Sequence, residues 1–327
     1  MTQDIDLVIP WVDGNDVEWK KEKDKCLEAG DRRVNRYRDW DNLQYIFRGI
    51  EKYMPWIRKI HFVTWGHLPE WLNVEHPKLN IVKHQDYIPE KYLPTFSSHT
   101  IEMNLHRIKG LAEQFIYTND DIFFLKDISV EDFFVEGLPV DRAWECVHQF
   151  KKGGIDTIIG NDLEIINEHF CKRETIKKYK RKWFSVKYGK HLLKNMYLLP
   201  MGNFTGFEFY HLPNAYLKRT FKEVWEKEAD ILDQTCMHKF RNKLDVNQWL
   251  MKYWQLVSGT FHAEGRVEGQ FFSIGRDDQK IQEAIDNKIY KMICLSDDIE
   301  KINFEKEKQF LKECLDKALP EKSLFEL

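Results

Sequence analysis

Four short runs of β-branched and aromatic residues, each ending in polar residues, constrain this chain most. They are "IDLVIPWVDG" from residue 5, "KIHFVTWG" at 59–66, "LNIVKHQD" at 79–86 and "QFIYTNDD" at 114–121. Each is too short for a helix and is bounded by turn residues, so each reads as a strand. Stripes at helical spacing lie between them. Leu43, Ile46, Phe47, Ile50 and Met54 form one, closed by Pro55. Ile101, Leu105, Ile108 and Leu111 form another, with Ser97 or Ser98 as N-cap. Strands alternating with helices predict an α/β fold with a mainly parallel sheet. Ligands of such sheets bind beyond the carboxyl ends of the strands. Here those ends read "WVDG", "TWGH", "KHQD" and "TNDD", so the chemically capable residues collect on one edge.

The expected architecture is therefore Rossmann-like, or GT-A-like, with flanking helices and a more helical second half. Residues 1–150 form the ligand-binding core. Residues 15–38 read as an irregular excursion or flap over the site. Residues 151–210 read as loops around a basic insertion, and residues 211–327 as a helical part that completes the site and returns to the core. Within that last part, 213–256 reads as helical, "FFSIG" (271–275) and "YKMICLSDD" (290–298) as returning strands, and 299–318 as a charged helix.

Composition removes several classes. The 327 residues are 43% hydrophobic, enough for a sizeable core, and the net charge of −3 gives no general attraction to nucleic acid. The six cysteines contain no CxxC pair, which suits a reducing, cytoplasmic setting better than a disulfide framework. The acidic N-terminus runs straight into a strand rather than a leader, and no apolar run approaches ~18 residues.

Asp120 and Asp121 pose the central question. Adjacent aspartates at a strand end either cap backbone amides or hold a hard divalent cation, Mg²⁺ or Mn²⁺, that bridges phosphates. Asp297 and Asp298, after another apolar run, either join such a site or cap the final helix. Glu102 and His106 stand four apart on one helix face, and Arg107 follows as an anion ligand; the spacing is not that of a zinc protease. Trp11, Val12, Asp13 and Gly14 make either a plain turn or a nucleotide-holding loop. His211, shortly before Pro213, and His238, Lys239 and Arg241 further on, read as structural groups or as a base and phosphate ligands. Residues 172–194 carry ten Lys or Arg, either a solvated face or a polybasic surface for anionic lipid.

Taken together, "DIDLVIPWVDGND", the long stretch from "RDWDNLQYIFRGIEKY" through "PTFSSHTIEMNLHRIKGLAEQFIYTNDDIFFLKDI", and the later "YHLP", "HKFR", "DVNQW" and "KMICLSDD" resemble the successive conserved regions of the Stealth phosphotransferases. These include bacterial capsular-polysaccharide hexose-1-phosphate transferases and the animal enzyme that puts GlcNAc-1-phosphate on lysosomal glycoproteins. The chain departs where members often carry Asn, having Asp13, and where they often carry "ND", having Ser296 before Asp297. Residues 151–205 match no assigned block.

The resemblance implies transfer of a sugar-1-phosphate from a UDP-sugar to a hydroxyl of a glycan acceptor, lipid-linked or free, with release of UMP. It implies Asp120, Asp121 and Asp297 as ligands of Mg²⁺ or Mn²⁺, and Arg241, with Lys239 or Arg107, on the phosphoryl charge. His211 is the expected base, with His238, His106 and His99 as alternatives. Trp11 to Gly14 would hold the nucleotide. Arg38, Asn42, Ser98, Glu102, Asn119, Asp245 and Gln248 would bind or position the sugar and the cationic groups. Two other functions fit the same residues: a metal-dependent glycosyltransferase, which would release UDP, and a non-catalytic protein binding membranes or polyanions through its basic segment.

Overall fold

The computed structural model describes residues 4–26, 38–152, 154–299 and 301–327. The chain runs β1 (Ile5–Pro10), α1 (Val17–Lys25), α2 (Leu43–Tyr53), β2 (Ile60–Thr64), β3 (Leu79–Lys83), α3 (His84–Tyr87), α4 (Ser98–Met103), β4 (Gln114–Tyr117), β5 (Ile122–Phe124), β6 (Phe134–Val135) and β7 (Leu138–Asp141). It continues through α5 (Asp156–His169), α6 (Lys172–Lys178), α7 (Lys180–Trp183), α8 (His191–Leu198), β8 (Asn214–Leu217), α9 (Lys218–Lys227), α10 (Ala229–Met237), α11 (Trp249–Val257), β9 (His262–Ala263), β10 (Gly269–Ser273), α12 (Asp278–Asp286), β11 (Met292–Ser296) and α13 (Phe304–Ala318).

The main sheet has the order β3-β2-β1-β4-β8. Its first four strands are parallel and β8 is an antiparallel edge. Both faces are covered, which is why the strands read as continuous apolar runs. Along β1, Leu7 and Ile9 enter one core while Val8 enters the other. The Leu43 to Met54 stripe packs in the first core as α2. A smaller sheet, β10-β11-β5, leans on the same core, and β6-β7-β9 forms a third.

Asp6 is the one acid in β1, and its carboxylate is fully buried. Arg58 Nε and Nη2 donate to it at 2.9 and 2.6 Å, the Ala112 amide donates at 2.8 Å, and His61 Nε2 lies 2.9 Å away. Burial alone would raise its pKa; the His61 and Arg58 contacts reverse that and hold it below the ordinary carboxylate range.

Several expectations change. The excursion 15–38 begins as a regular helix, α1, with the Asp16 side chain accepting from Trp19 N at 2.7 Å; residues 27–37 lie outside the described residues. The stripe from Ile101 to Leu111 is not one helix. α4 ends at Met103, a 3₁₀ turn covers Leu105–Arg107, and Leu111 follows it. Ser97 is the N-cap residue, but its side chain makes no capping bond. Residues 151–210 are mainly helical rather than loops, and 213–256 opens with the strand β8. The final helix is capped by Asn303, not by Asp297 or Asp298.

Candidate functional site

The main-chain path beyond β4 sets the site. After Tyr117 the chain turns through Asn119, Asp120 and Asp121 before entering β5. β5 pairs antiparallel with β11, and the Leu295 amide donates to Asp121 O at 2.9 Å. The turn is thereby clamped on the carboxyl edge of the main sheet. His211, just before β8, comes to the same place. Its Nε2 lies 3.0 Å from Asn119 Nδ2 and 3.4 Å from Asp121 Oδ2. The Cys294 thiol donates to Asp121 Oδ2 at 3.4 Å.

Electrostatics make this turn unusual. Surrounding protein and then the neighbouring Asp121 charge push the Asp120 carboxyl up to about 7. Its surface is nonetheless open to solvent, so Asp120 is crowded but wet. His211 is similar: protein crowds it, which favours the neutral ring, but the Asp121 bond and charge win and its pKa is raised. Its side chain keeps 39% of its surface exposed, so the opposing crowding effect is discounted. Burial, reinforced by Asp121, drives the Cys294 thiol far up, so it is a neutral donor rather than a thiolate ligand.

Asp121 Oδ1 is buried with no hydrogen-bond partner among the described residues. A buried carboxylate oxygen left unpaired calls for a cation or water. Asp121, His211 and Cys294 present ligand atoms within 4.8 Å of one another, a candidate metal site. With Cys294 protonated, the available donors are carboxylate oxygens and an imidazole, which fits a hard divalent ion that keeps part of its water shell.

A second cluster borders this turn. Glu102, buried on α4, accepts from Tyr117 Oη at 3.2 Å and stands 3.5 Å from the Gln248 amide. Ser98 Oγ accepts from Arg241 Nε at 3.0 Å. Glu102 and Arg241 both act electrostatically on His211, which places them near the same end of the sheet. Asp245, fully buried, ties the cluster together. His99 Nδ1 lies 2.7 Å from Oδ2, His238 Nδ1 lies 2.7 Å from Oδ1, and the Asn242 amide donates to Oδ2 at 2.8 Å.

The loop after β1 is also at this edge. The Asp13 amide donates to His67 Nε2 at 2.7 Å, and burial lowers the pKa of His67, keeping it a neutral acceptor. Trp11 stacks on Phe62 and meets His67 edge-on, so its ring is half committed to the core. Gly14 is buried in the turn that follows. Asn42 stands at the N-cap of α2.

Four sequence candidates take other partners. Asp297 is bound by Arg38, with Nη1 3.2 and 3.4 Å from its two oxygens. Neither it nor Asp120 belongs to the Asp121 ligand group, so the expected set of three carboxylates does not assemble among the described residues. The pairing follows from β11, which ends at Ser296 and carries Asp297 past the turn. Lys239 donates to the Tyr92 and Leu93 carbonyls at 3.1 and 2.9 Å. His106 is buried against Phe221 and Trp225, and burial, aided by the Arg107 charge, pushes its pKa down to about 3. Arg107 lies over the Trp225 ring, with Nε on Asn104 Oδ1 at 3.0 Å. The 3₁₀ turn after α4 rotates both residues away from the Glu102 side. Sequence reasoning missed Cys294, Tyr117 and His67. The polar ending "TWGH" was the available signal for His67; the others stand inside apolar runs and carry none.

Comparison with known proteins supports one lineage. "Stealth protein CR1, conserved region 1" matches residues 3–31, and "Stealth protein CR2, conserved region 2" matches residues 36–140. The chain is 42% identical to the capsular polysaccharide phosphotransferase WcwK of Streptococcus pneumoniae, covering 99% of this chain and 98% of that one. It is 36% identical to the receptor polysaccharide phosphotransferase WefC of Streptococcus gordonii, over all of both chains. It is 33% identical to the exopolysaccharide phosphotransferase cps2G of Lactiplantibacillus plantarum, over 99% and 96%. Among solved structures, the apo bifunctional glycosyltransferase WbbM aligns with 98% of this chain and 52% of its own, at 10% identity and a TM-score of 0.39, too slight a likeness to argue from. The two conserved regions and the full-length identity to these phosphotransferases place the chain in the Stealth family.

Proposed function

We propose that this chain transfers a sugar-1-phosphate from a UDP-sugar to a hydroxyl of an acceptor glycan and releases UMP, in the synthesis of capsular or cell-surface polysaccharide. The single observation that carries the reading is Asp121 Oδ1: buried, unpartnered, and set beside Asp120 and His211 on the ligand edge of the sheet. Full-length relatives named as polysaccharide phosphotransferases support it.

In the proposed reaction the acceptor oxygen attacks the phosphorus that bears the sugar. A phosphorus–oxygen bond forms there, the anhydride bond to the uridine phosphate breaks, and UMP departs. Mg²⁺ or Mn²⁺ would be held chiefly by Asp121, whose Oδ1 is left unpaired, with Asp120 beside it in the turn, and would offset the diphosphate charge. His211, polarised by Asp121 at Nε2, takes the proton of the attacking hydroxyl on its other ring nitrogen. Arg241, anchored through Nε to Ser98, offers its remaining N–H groups to the transferring phosphoryl oxygens. Glu102 and Gln248 are assigned to the sugar hydroxyls, as an acceptor and a donor. Asp245 holds the loop of Arg241 against α4 through His99 and His238. The turn from Trp11 to Gly14 is assigned to the nucleotide.

Product analysis tests the reading. Purified protein with Mg²⁺ or Mn²⁺, a panel of UDP-sugars and a glycan acceptor is expected to yield UMP and a product with one phosphorus. Release of UDP with a phosphorus-free product would instead establish glycosyl transfer.

A further inference from the structure

The basic segment of residues 172–194 is not a uniform solvated face. Lys172 turns inward, where its ammonium pairs with Glu145 and donates to Leu198 O at 2.7 Å. Lys182 caps the Gly259 and Phe261 carbonyls. These inward lysines fasten α6, α7 and α8 to the body. Asn195 completes the fastening, donating to Ala143 O at 2.7 Å and Trp183 O at 3.0 Å. The inner side of α8 is thus fixed by Asn195 and Leu198, both buried.

Among the described residues the outer side has no partner of its own. Leu193 is 70% exposed and Tyr197 78%, with Met196 between them; Val186, 87% exposed, precedes the helix, and Leu199 and Met201 follow it. Large apolar side chains gathered over so short a stretch mark an interaction surface. Charge identifies the partner. Lys177, Lys178, Lys180, Arg181 and Lys190 are exposed and form no ion pair among the described residues. The chain as a whole carries −3, so this local positive charge runs against the protein's average.

We propose that the outer side of α8 and the loop after it dock on an anionic lipid bilayer. Leu193, Met196 and Tyr197 enter the headgroup boundary, and the exposed lysines and arginine of α6, α7 and the start of α8 meet the lipid phosphates. This is the pattern of an interfacial amphipathic helix, in which apolar burial and electrostatic attraction act together. The docked helix also communicates with the site. His191 stacks on Trp144 at 3.7 Å between ring centroids and lies 3.5 Å from Glu208, which also binds Lys194. Glu208 reaches the hydroxyl of Tyr210, the residue before His211. On the phosphotransferase reading, docking sets the His211 loop where a lipid-linked acceptor would present its hydroxyl; the docking itself does not depend on that reading.

Vesicle co-sedimentation of the full chain tests the proposal. The wild type is expected to bind vesicles of equal parts phosphatidylglycerol and phosphatidylcholine, to bind phosphatidylcholine alone weakly, and to be released by high salt. The triple variant Leu193→Gln, Met196→Gln, Tyr197→Ser, with unchanged melting temperature, should lose roughly tenfold or more in affinity. Neutralising Lys177 and Lys178 should cost about fivefold per residue. A measurement on the wild type guards against a misfolded variant: anionic vesicles should slow tryptic cleavage after Lys190 and Lys194. Equal binding to both vesicle types, no binding, or unchanged cleavage overturns the proposal. So does concentration-dependent self-association abolished by the triple variant, which would give this face to a second copy of the chain. None of these readouts uses UMP release, so failure here and failure of the proposed reaction are told apart.

Discussion

Replacing Asp245 tests whether the second cluster is built for function. Its Oδ2 accepts from the Asn242 amide and faces His99, and its Oδ1 faces His238. In Asp245→Asn the amide oxygen can occupy the Oδ2 position and keep His99 and Asn242. The new NH₂ then faces His238 Nδ1, which must switch from donor to acceptor and move its proton to Nε2. One bond to a carboxylate is lost, about 1–3 kcal/mol. Asp245→Ala leaves three donors without their acceptor, and about 3–5 kcal/mol is expected. With ~2.1 cal/mol/K per residue and 327 residues, 1 kcal/mol moves Tm by about 1.5 °C. The Asn variant should therefore melt about 2–5 °C lower and the Ala variant about 5–8 °C lower, as read by calorimetry. Both should lose turnover by about 10²-fold at 25 °C while still folded, because Arg241 rides on the same loop and a displacement near 1 Å suffices. UMP release at saturating donor measures this. If both variants melt lower but turn over normally, Asp245 serves the fold alone and the assigned role is wrong.

Asp121→Asn should lower UMP release by about 10³-fold with the melting temperature kept, and a chelator should abolish release in the wild type until Mg²⁺ or Mn²⁺ is returned. Asp6→Asn should destabilise by about 2–3 kcal/mol, a figure reduced because Arg58 is about one-third exposed. The folded-state pKa of Asp6 is lowered, so its contribution is present above the unfolded value near 3.9 and is lost as pH falls through the folded one; the variant's acid-unfolding curve should be shallower in that range. His84 is buried and its pKa is pushed down to about 4 by desolvation. The unfolded chain protonates first, near 6.5, so stability falls as pH drops from about 6.5 to about 4, by roughly 2 kcal/mol at pH 5. His84→Phe should flatten urea-unfolding free energies across that window, and an unchanged slope would assign the acid sensitivity elsewhere.

The parallel core was legible because each strand is buried on both faces, so its apolar run is unbroken and its polar ending is conspicuous. Asp120 and Asp121 were legible for the same reason. The stripe from Ile101 to Leu111 misled because a 3₁₀ turn keeps Leu105 and Ile108 buried while rotating His106 and Arg107 off the face that Glu102 occupies. Periodicity alone does not separate those geometries. Asp297 was misplaced because two acids after a strand look alike whether they meet a cation or an arginine, and Arg38 is 259 residues away. The apolar outer side of α8 carried no signal in composition, since Leu193 and Leu198 are alike in sequence and opposite in burial.

The arrival of His211 beside the aspartates is the least local feature, yet strand pairing accounts for it. β8 runs antiparallel to β4 with Tyr117 opposite Asn214. Chain that precedes an antiparallel strand must lie beyond the far end of its partner. Continuing the same register sets Leu212 opposite Asn119 and His211 opposite Asp120, which agrees with the 3.0 Å contact between Asn119 and His211. An edge strand added in the parallel sense would have delivered residues 218 and beyond to this place instead, the start of α9 with its lysine and arginine. The single antiparallel strand of the main sheet is therefore what carries a titratable ring, rather than fixed positive charge, to the end of β4.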